Sequence, residues 1–173
     1  MARALPSLAA LGVAWATLCF PLEASAQKLL IDGVASVHSG LEGSDPEVSA
    51  MQWQRQRTRL QVGAEWSSSE TKTHALALYG IFELERSGSV GAEFRYRIWM
   101  SRFVGAFAGP IALLRPESLY GVQGGLTGAL PVGKDAALFA ELSMAGFPLG
   151  SDRSHSGATV VWASLGLGAK IHF

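Results

Sequence analysis

The chain has little cysteine, little charge and no long apolar run beyond its first segment. A single cysteine, Cys19, in 173 residues excludes a disulfide framework and any multi-thiolate metal site. Charged residues make up only 16%, well below the roughly 25% of an average soluble domain. Basic and acidic side chains balance at 14 each, which leaves no electrostatic footprint for nucleic acid. Gly, Ala and Leu replace the missing charge, not Ser or Pro, so the composition argues against disorder. After Gln27 the longest apolar stretch, Phe103 to Leu114, is cut by Gly105, Gly109 and Pro110. That excludes a membrane-spanning helix, which needs about 20 apolar residues.

The first segment reads as an address. Met1-Ala2-Arg3 is a short cationic start, and Leu8 to Phe20 is apolar apart from Gly12 and Thr17. Ala24-Ser25-Ala26 then supplies a small-residue cleavage site before Gln27. This pattern predicts a secretory signal peptide over 1–26 and a mature domain over 27–173. Leu18 stands before Cys19 where a lipidation motif wants a small residue. Cleavage would remove Cys19 and one charge of each sign, Arg3 and Glu23.

The rest of the chain alternates with the period of a strand whose two faces differ. Thr58, Leu60, Val62, Ala64 and Trp66 oppose Arg57, Arg59, Gln61, Gly63 and Glu65. Val90, Ala92, Phe94, Tyr96 and Ile98 oppose Gly91, Glu93, Arg95 and Arg97. Leu165, Leu167, Ala169, Ile171 and Phe173 oppose Ser164, Gly166, Gly168, Lys170 and His172. Softer alternation runs through 29–37, 75–84, 120–130 and 138–144. Arg102 to Leu114 is apolar or Gly on both parities, so its faces stay unassigned. The count is eight strands of about 9–14 residues, against the about 9–11 that a tilted strand needs to cross a bilayer. Turn-rich pieces separate them at His38–Ala50, Ser67–Lys72, Glu85–Gly88, Arg115–Ser118, Gly133–Asp135 and Pro148–Gly157, with a tight join near Met100-Ser101.

Alternation alone does not say which face is wet. Three features point to an all-β, eight-stranded, antiparallel, up-and-down transmembrane barrel with its polar parity inside. The first is a parity carrying both signs and Gly: Asp32, Arg57, Arg59, Glu65, Glu93, Arg95, Arg97, Glu141 and Lys170. An eight-stranded bore is only wide enough for side chains to fill, and charges inside it must pair. Glu65, Glu83, Glu93 and Glu141 are the expected partners of the arginines. The second is aromatics near strand ends, Trp53, Trp66, Trp99, Phe103, Tyr120 and Phe173, as in interfacial girdles. The third is the terminal run, apolar at Leu165, Leu167, Ala169, Ile171 and Phe173.

That run resembles the C-terminal β-signal of bacterial outer-membrane proteins, and the mature chain resembles the small OmpA/OmpX-like barrels by architecture rather than by a residue motif. The resemblance implies integral outer-membrane localisation, and outer-membrane lipid, lipopolysaccharide and the barrel-assembly machinery as partners. It implies no cofactor and no nucleic acid. With no periplasmic segment expected after the last strand, the cell-wall anchoring of longer OmpA-like proteins is not implied. The N-terminus is expected in the periplasm, which puts the 38–50, 85–88, 115–118 and 148–157 connections outside. The expected role is structural or interactive, not enzymatic.

Other readings stand beside it. Some small outer-membrane barrels are lipid A deacylases or palmitoyl transferases, and the deacylases carry a His-x-Ser pair and a Glu. This chain offers His38-Ser39 and Ser154-His155-Ser156 with Asp152, but no His-x-Ser. His38 and His155 could meet at the external rim, and Glu42, Asp45 and Glu47 form an acidic loop; neither has an ordered metal-ligand pattern. The glycines of strand six, Gly121 and Gly125, leave room for a narrow porin-like conductance. A soluble lipocalin-like periplasmic carrier would invert the faces, but its Gly-x-Trp is absent, since Val34-Ala35 follows Gly33.

Overall fold

Period-two patterning commits each segment to a strand, because only that period separates the apolar set from the charged set onto two faces. The computed structural model describes residues 29–44, 52–68, 73–85, 88–115, 118–150 and 159–173. Its strands are β1 (Leu29–Ser44), β2 (Gln52–Ser68), β3 (His74–Glu83), β4 (Val90–Trp99), β5 (Val104–Arg115), β6 (Leu119–Pro131), β7 (Ala136–Gly150) and β8 (Val160–His172). Each pairs antiparallel with its sequence neighbour, and β1 pairs with β8 to close the barrel. Closure removes the edges that an open sheet would expose. The 1–26 leader lies outside the described residues.

Three strands are longer than the alternation suggests: β1 has 16 residues, β2 has 17 and β7 has 15. The segment expected to leave the sheet at His38 stays in it as far as Ser44. Ser39, Gly40 and Gly43 look like turn residues locally, yet Gly40 pairs with Arg57 on one side and Ser164 on the other. Ladder bonds on both sides hold residues that would otherwise favour a turn. The Gly133–Asp135 connection is a tight turn, with Gly133 at φ 90°. That is a conformation glycine adopts without strain.

β5, whose faces the sequence leaves open, turns Phe107, Ile111 and Leu113 inward. Its outer side is Val104, Ala106, Ala108, Pro110, Ala112 and Leu114. The two sides differ in size, not in polarity. Of these, Ile111 and Leu113 join Ile81, Leu119, Phe147, Val160 and Trp162 in an apolar cluster inside the bore. A second cluster forms from Val34, Ala77, Tyr79 and Phe139. The barrel interior is therefore a packed core, apolar in two places and ionic between and beside them.

Candidate functional site: a salt-bridged bore inside an apolar wall

The bore is built by one parity of every strand. Asp32 comes from β1, Arg57, Arg59 and Glu65 from β2, Glu93, Arg95 and Arg97 from β4, Glu141 from β7 and Lys170 from β8. All point inward, and Arg95, Arg97, Glu93 and Glu141 are each only 1% exposed.

They form a middle group and one toward each end. In the middle, Glu141 bridges two guanidiniums. Arg95 Nη1 donates to its Oε2 at 2.7 Å and Arg97 Nη2 to its Oε1 at 2.6 Å. Arg95 also ion-pairs with Glu93, and its Nη2 donates to Gln61 Oε1 at 2.9 Å. Gln61 Nε2 donates to Glu93 Oε2 at 3.2 Å. Arg97 reaches across to Glu65. The Arg95 guanidinium also lies 4.2 Å from the Phe107 ring centre and 4.5 Å from that of Tyr79. Toward the end carrying β1's start and β8's finish, Lys170 Nζ sits 3.2 Å from Asp32 and 3.4 Å from Glu65. His172 Nδ1 lies 2.7 Å from Asp32 Oδ1.

Toward the other end, Arg57 ion-pairs with Glu42 and places Nη1 at 2.8 Å and 3.0 Å from the two oxygens of Glu83. Ser89 donates to the same Glu83 carboxylate. Trp162 Nε1 donates to Glu42 Oε2 at 2.9 Å, and the Trp162 ring lies under both Arg57 and Arg59, at 5.0 and 4.3 Å. Arg59 differs from the other arginines. Its Nη2 donates to Ser164 Oγ at 3.2 Å, and among the described residues no carboxylate lies within ion-pairing distance of it. Cation–π contact and one hydrogen bond hold it. Among the described residues several buried polar atoms have no hydrogen-bond partner, including His38 Nδ1, Arg59 Nη1 and both amide atoms of Gln123.

Three expectations need correction. His38 is not at the rim: it is fully buried in the bore, 3.0 Å from Ser36 Oγ and 3.7 Å from Glu141. It shares the parity of Asp32 and Ser36, and the strand does not end there. Glu42 belongs to no acidic loop; it is buried against Arg57 and Trp162 for the same reason. Trp99 does not join an outer girdle. It shares the inward parity of Arg95 and Arg97, and its ring lies 5.5 Å from the Arg97 guanidinium and 5.1 Å from Lys170 Nζ. Tyr120, Phe103 and Phe173 do face outward and are exposed, with Trp66 half-buried on the same face. The Trp53 side chain, Asp45, Glu47, Asp152 and the Ser154-His155-Ser156 run lie outside the described residues. Among the described residues no group of three or more His, Cys, Asp or Glu side chains is arranged to hold a metal ion.

The outer wall is the inverse of the bore. Val37, Val62, Leu78, Phe94, Leu126, Leu142 and Leu165, from seven of the strands, are all exposed, and β5 completes the ring with Ala108 and Pro110. Leu165, Leu167, Ala169, Ile171 and Phe173 all lie on this face. Phe173 N donates to Ile31 O at 3.1 Å, and its ring lies over Gly33, across the seam where β8 meets β1. Charge inside and aliphatic side chains outside invert the arrangement of a water-soluble barrel. This is the distribution of a transmembrane β-barrel, whose apolar band meets lipid.

No protein-family model matches the chain, and no curated protein matches it. Solved structures do. A de novo designed transmembrane β-barrel is similar over 81% of this chain and 95% of its own, at 9% identity and a TM-score of 0.45. Neisserial surface protein A is similar over 82% and 97%, at 11% identity and a TM-score of 0.43. Ail, the attachment invasion locus protein of Yersinia pestis, is similar over 81% and 98%, at 9% identity and a TM-score of 0.37.

Proposed function

We propose that the chain is an integral outer-membrane β-barrel with a structural or interaction role in the bacterial envelope, exported by a cleaved signal peptide over 1–26. One observation carries this reading: a closed barrel whose ion pairs among the described residues lie inside and whose exposed wall is aliphatic. A secreted carrier would need the opposite arrangement, with an apolar cup inside. The ionic plug formed by Arg95, Arg97, Glu93 and Glu141 supports a filled bore rather than a channel, consistent with the size of an eight-stranded barrel. Outer-membrane lipid and lipopolysaccharide are the surroundings this wall suits, and the barrel-assembly machinery is the partner suggested by the alternating run to Phe173. The reading gives no residue a catalytic role.

The test is heat-modifiability of the protein from a fractionated envelope. The expected result is a mobility shift on boiling, confined to the outer-membrane fraction. A periplasmic protein without a shift would overturn the reading. For the assembly partner, Phe173→Ser should leave export intact and lower the amount of folded protein in the outer membrane. Normal levels of folded variant would remove the β-signal from the proposal.

A further inference from the structure

The apolar wall is not uniform. On β6 and β7 the leucines pair rung by rung, Leu126 with Leu142 and Leu130 with Leu138. Between these two rungs Gly128 faces Ala140. The Gly–Ala rung leaves a notch one side chain deep, walled by Leu130 and Leu138, by Leu167 on β8 and by Phe103 in the β4–β5 turn. Its volume is about 340 Å³, at the small end of ligand-binding clefts. The space over Gly128 is open: a Cβ built there would meet nothing nearer than the Phe103 carbonyl oxygen at 3.9 Å. The notch lies next to the β6–β7 turn, at the end of the barrel that carries β1's start and β8's finish.

Two cations lie in the turns that flank it. Arg102 lies in the same turn as Phe103, with its guanidinium 4.4 Å from the Phe103 ring centre. Lys134 lies in the Gly133–Asp135 turn, just past the Leu130–Leu138 rung. Both are exposed, and among the described residues neither pairs with a carboxylate. Asp135 follows Lys134 and offsets part of its charge, so Arg102 is the less compensated of the two. A groove that accepts hydrocarbon and opens toward cations at the membrane surface has the two-part chemistry of a phospholipid: an acyl chain and an anionic headgroup.

We infer that the Gly128–Ala140 notch is a selective site for one anionic phospholipid, its chain over Gly128 and its phosphate at Arg102 and Lys134. The inference rests on the membrane-barrel reading above. In that reading this end faces the periplasm, so the notch opens on the leaflet of phospholipid rather than of lipopolysaccharide.

The test uses the full mature barrel, folded in micelles with equal phosphatidylglycerol and phosphatidylcholine, and read by native mass spectrometry. The expected result is one retained phosphatidylglycerol per barrel, in preference to phosphatidylcholine. Gly128→Leu should abolish the retained lipid while the heat-induced gel shift persists. Arg102→Gln with Lys134→Gln should remove the preference between the two lipids, and it tests the site even if Gly128→Leu does not fold. Equal retention of both lipids by the unmodified protein would overturn the inference. So would undiminished retention by the Gly128→Leu variant, or a dimer peak that the variant loses, since a second copy would then occupy the notch. A protein without a gel shift would instead reject the membrane reading on which the inference depends.

Discussion

Glu141 is where the cost of burying charge concentrates. It is 1% exposed and accepts from Arg95 and Arg97 at once. A carboxylate removed from such a pair leaves guanidiniums without full compensation, which costs about 3–5 kcal/mol. Glu141→Leu is therefore expected to lower the stability of the folded barrel by that order, measured by urea unfolding in detergent. Glu141→Gln keeps an acceptor for one arginine and should lose less. Arginines in the bore are not equivalent, and a second pair of variants makes the point. Arg95→Met removes the ion-pair partner of Glu93, leaving it the Gln61 amide, and strips one donor from Glu141. Arg59→Met gives up one hydrogen bond to Ser164 and a contact with Trp162. Methionine keeps much of the packing over the indole, so Arg59→Met should show a clearly smaller drop in the same unfolding midpoint than Arg95→Met. Equal losses would mean that the two guanidiniums share one electrostatic field rather than separate partners.

At the scale of the strand, β4 and β5 form an irregular seam. Their ladder runs from Glu93 opposite Ile111 to Tyr96 opposite Ala108 without a pair at the two rungs between. Pro110 has no N–H to give there, and Gly109 lets the strands approach: a Cβ on Gly109 would press on the backbone of Phe94 and Arg95. Gly109→Ala should destabilise the barrel by about 1–3 kcal/mol through forced backbone movement. Gly146→Ala has nothing within 4 Å of the new methyl and should be close to neutral; thermal unfolding of the two variants side by side is the measurement. The same seam shows what the sequence can convey. β2, β4 and β8 are legible because apolar and charged residues separate cleanly by parity. β5 is not, because its inward Phe107 and Ile111 and its outward Ala106 and Ala108 carry no polarity difference. The inward placement of His38 and Glu42 follows the parity of Asp32 and Ser36, but only once β1 is carried through Ser39 and Gly40. Where polarity separates by parity, as on β2, β4 and β8, the inward charges can be named from the sequence and glutamates expected as partners of the arginines, whereas which arginine meets which glutamate cannot be read there. Glu141 meets Arg95 and Arg97 over separations of 46 and 44 residues because closure and stagger bring β7 across from β4, and these arise only in the assembled barrel.

For the whole molecule, the decisive property is that the aliphatic wall runs around the full circumference. A soluble protein rarely exposes a contiguous apolar patch beyond a few hundred Å², and a single protein partner covers one side of a cylinder, not all of it. Only a fluid apolar medium contacts every strand at once. A ten-residue strand such as β3 or β4, at about 3.3 Å per residue and tilted near 45°, rises about 23 Å, close to the height of a barrel's apolar band. Leu142 sits near the middle of β7, 60% exposed, between Leu126 and Leu165 on its neighbours. Arginine on a lipid-facing strand at mid-depth costs about 2–4 kcal/mol. Leu142→Arg should therefore sharply reduce the folded fraction recovered in phospholipid vesicles, read as loss of the unboiled, fast-migrating band. Leu149→Arg, near the end of the same strand and also exposed, should be tolerated far better, because interfacial depth lowers the penalty to about 0–1 kcal/mol. In water the same wall would make both substitutions harmless or favourable, since each would break an exposed aliphatic surface. A depth-dependent loss is thus a signature that lipid alone can produce, and equal tolerance at positions 142 and 149 would require the wall to be wet.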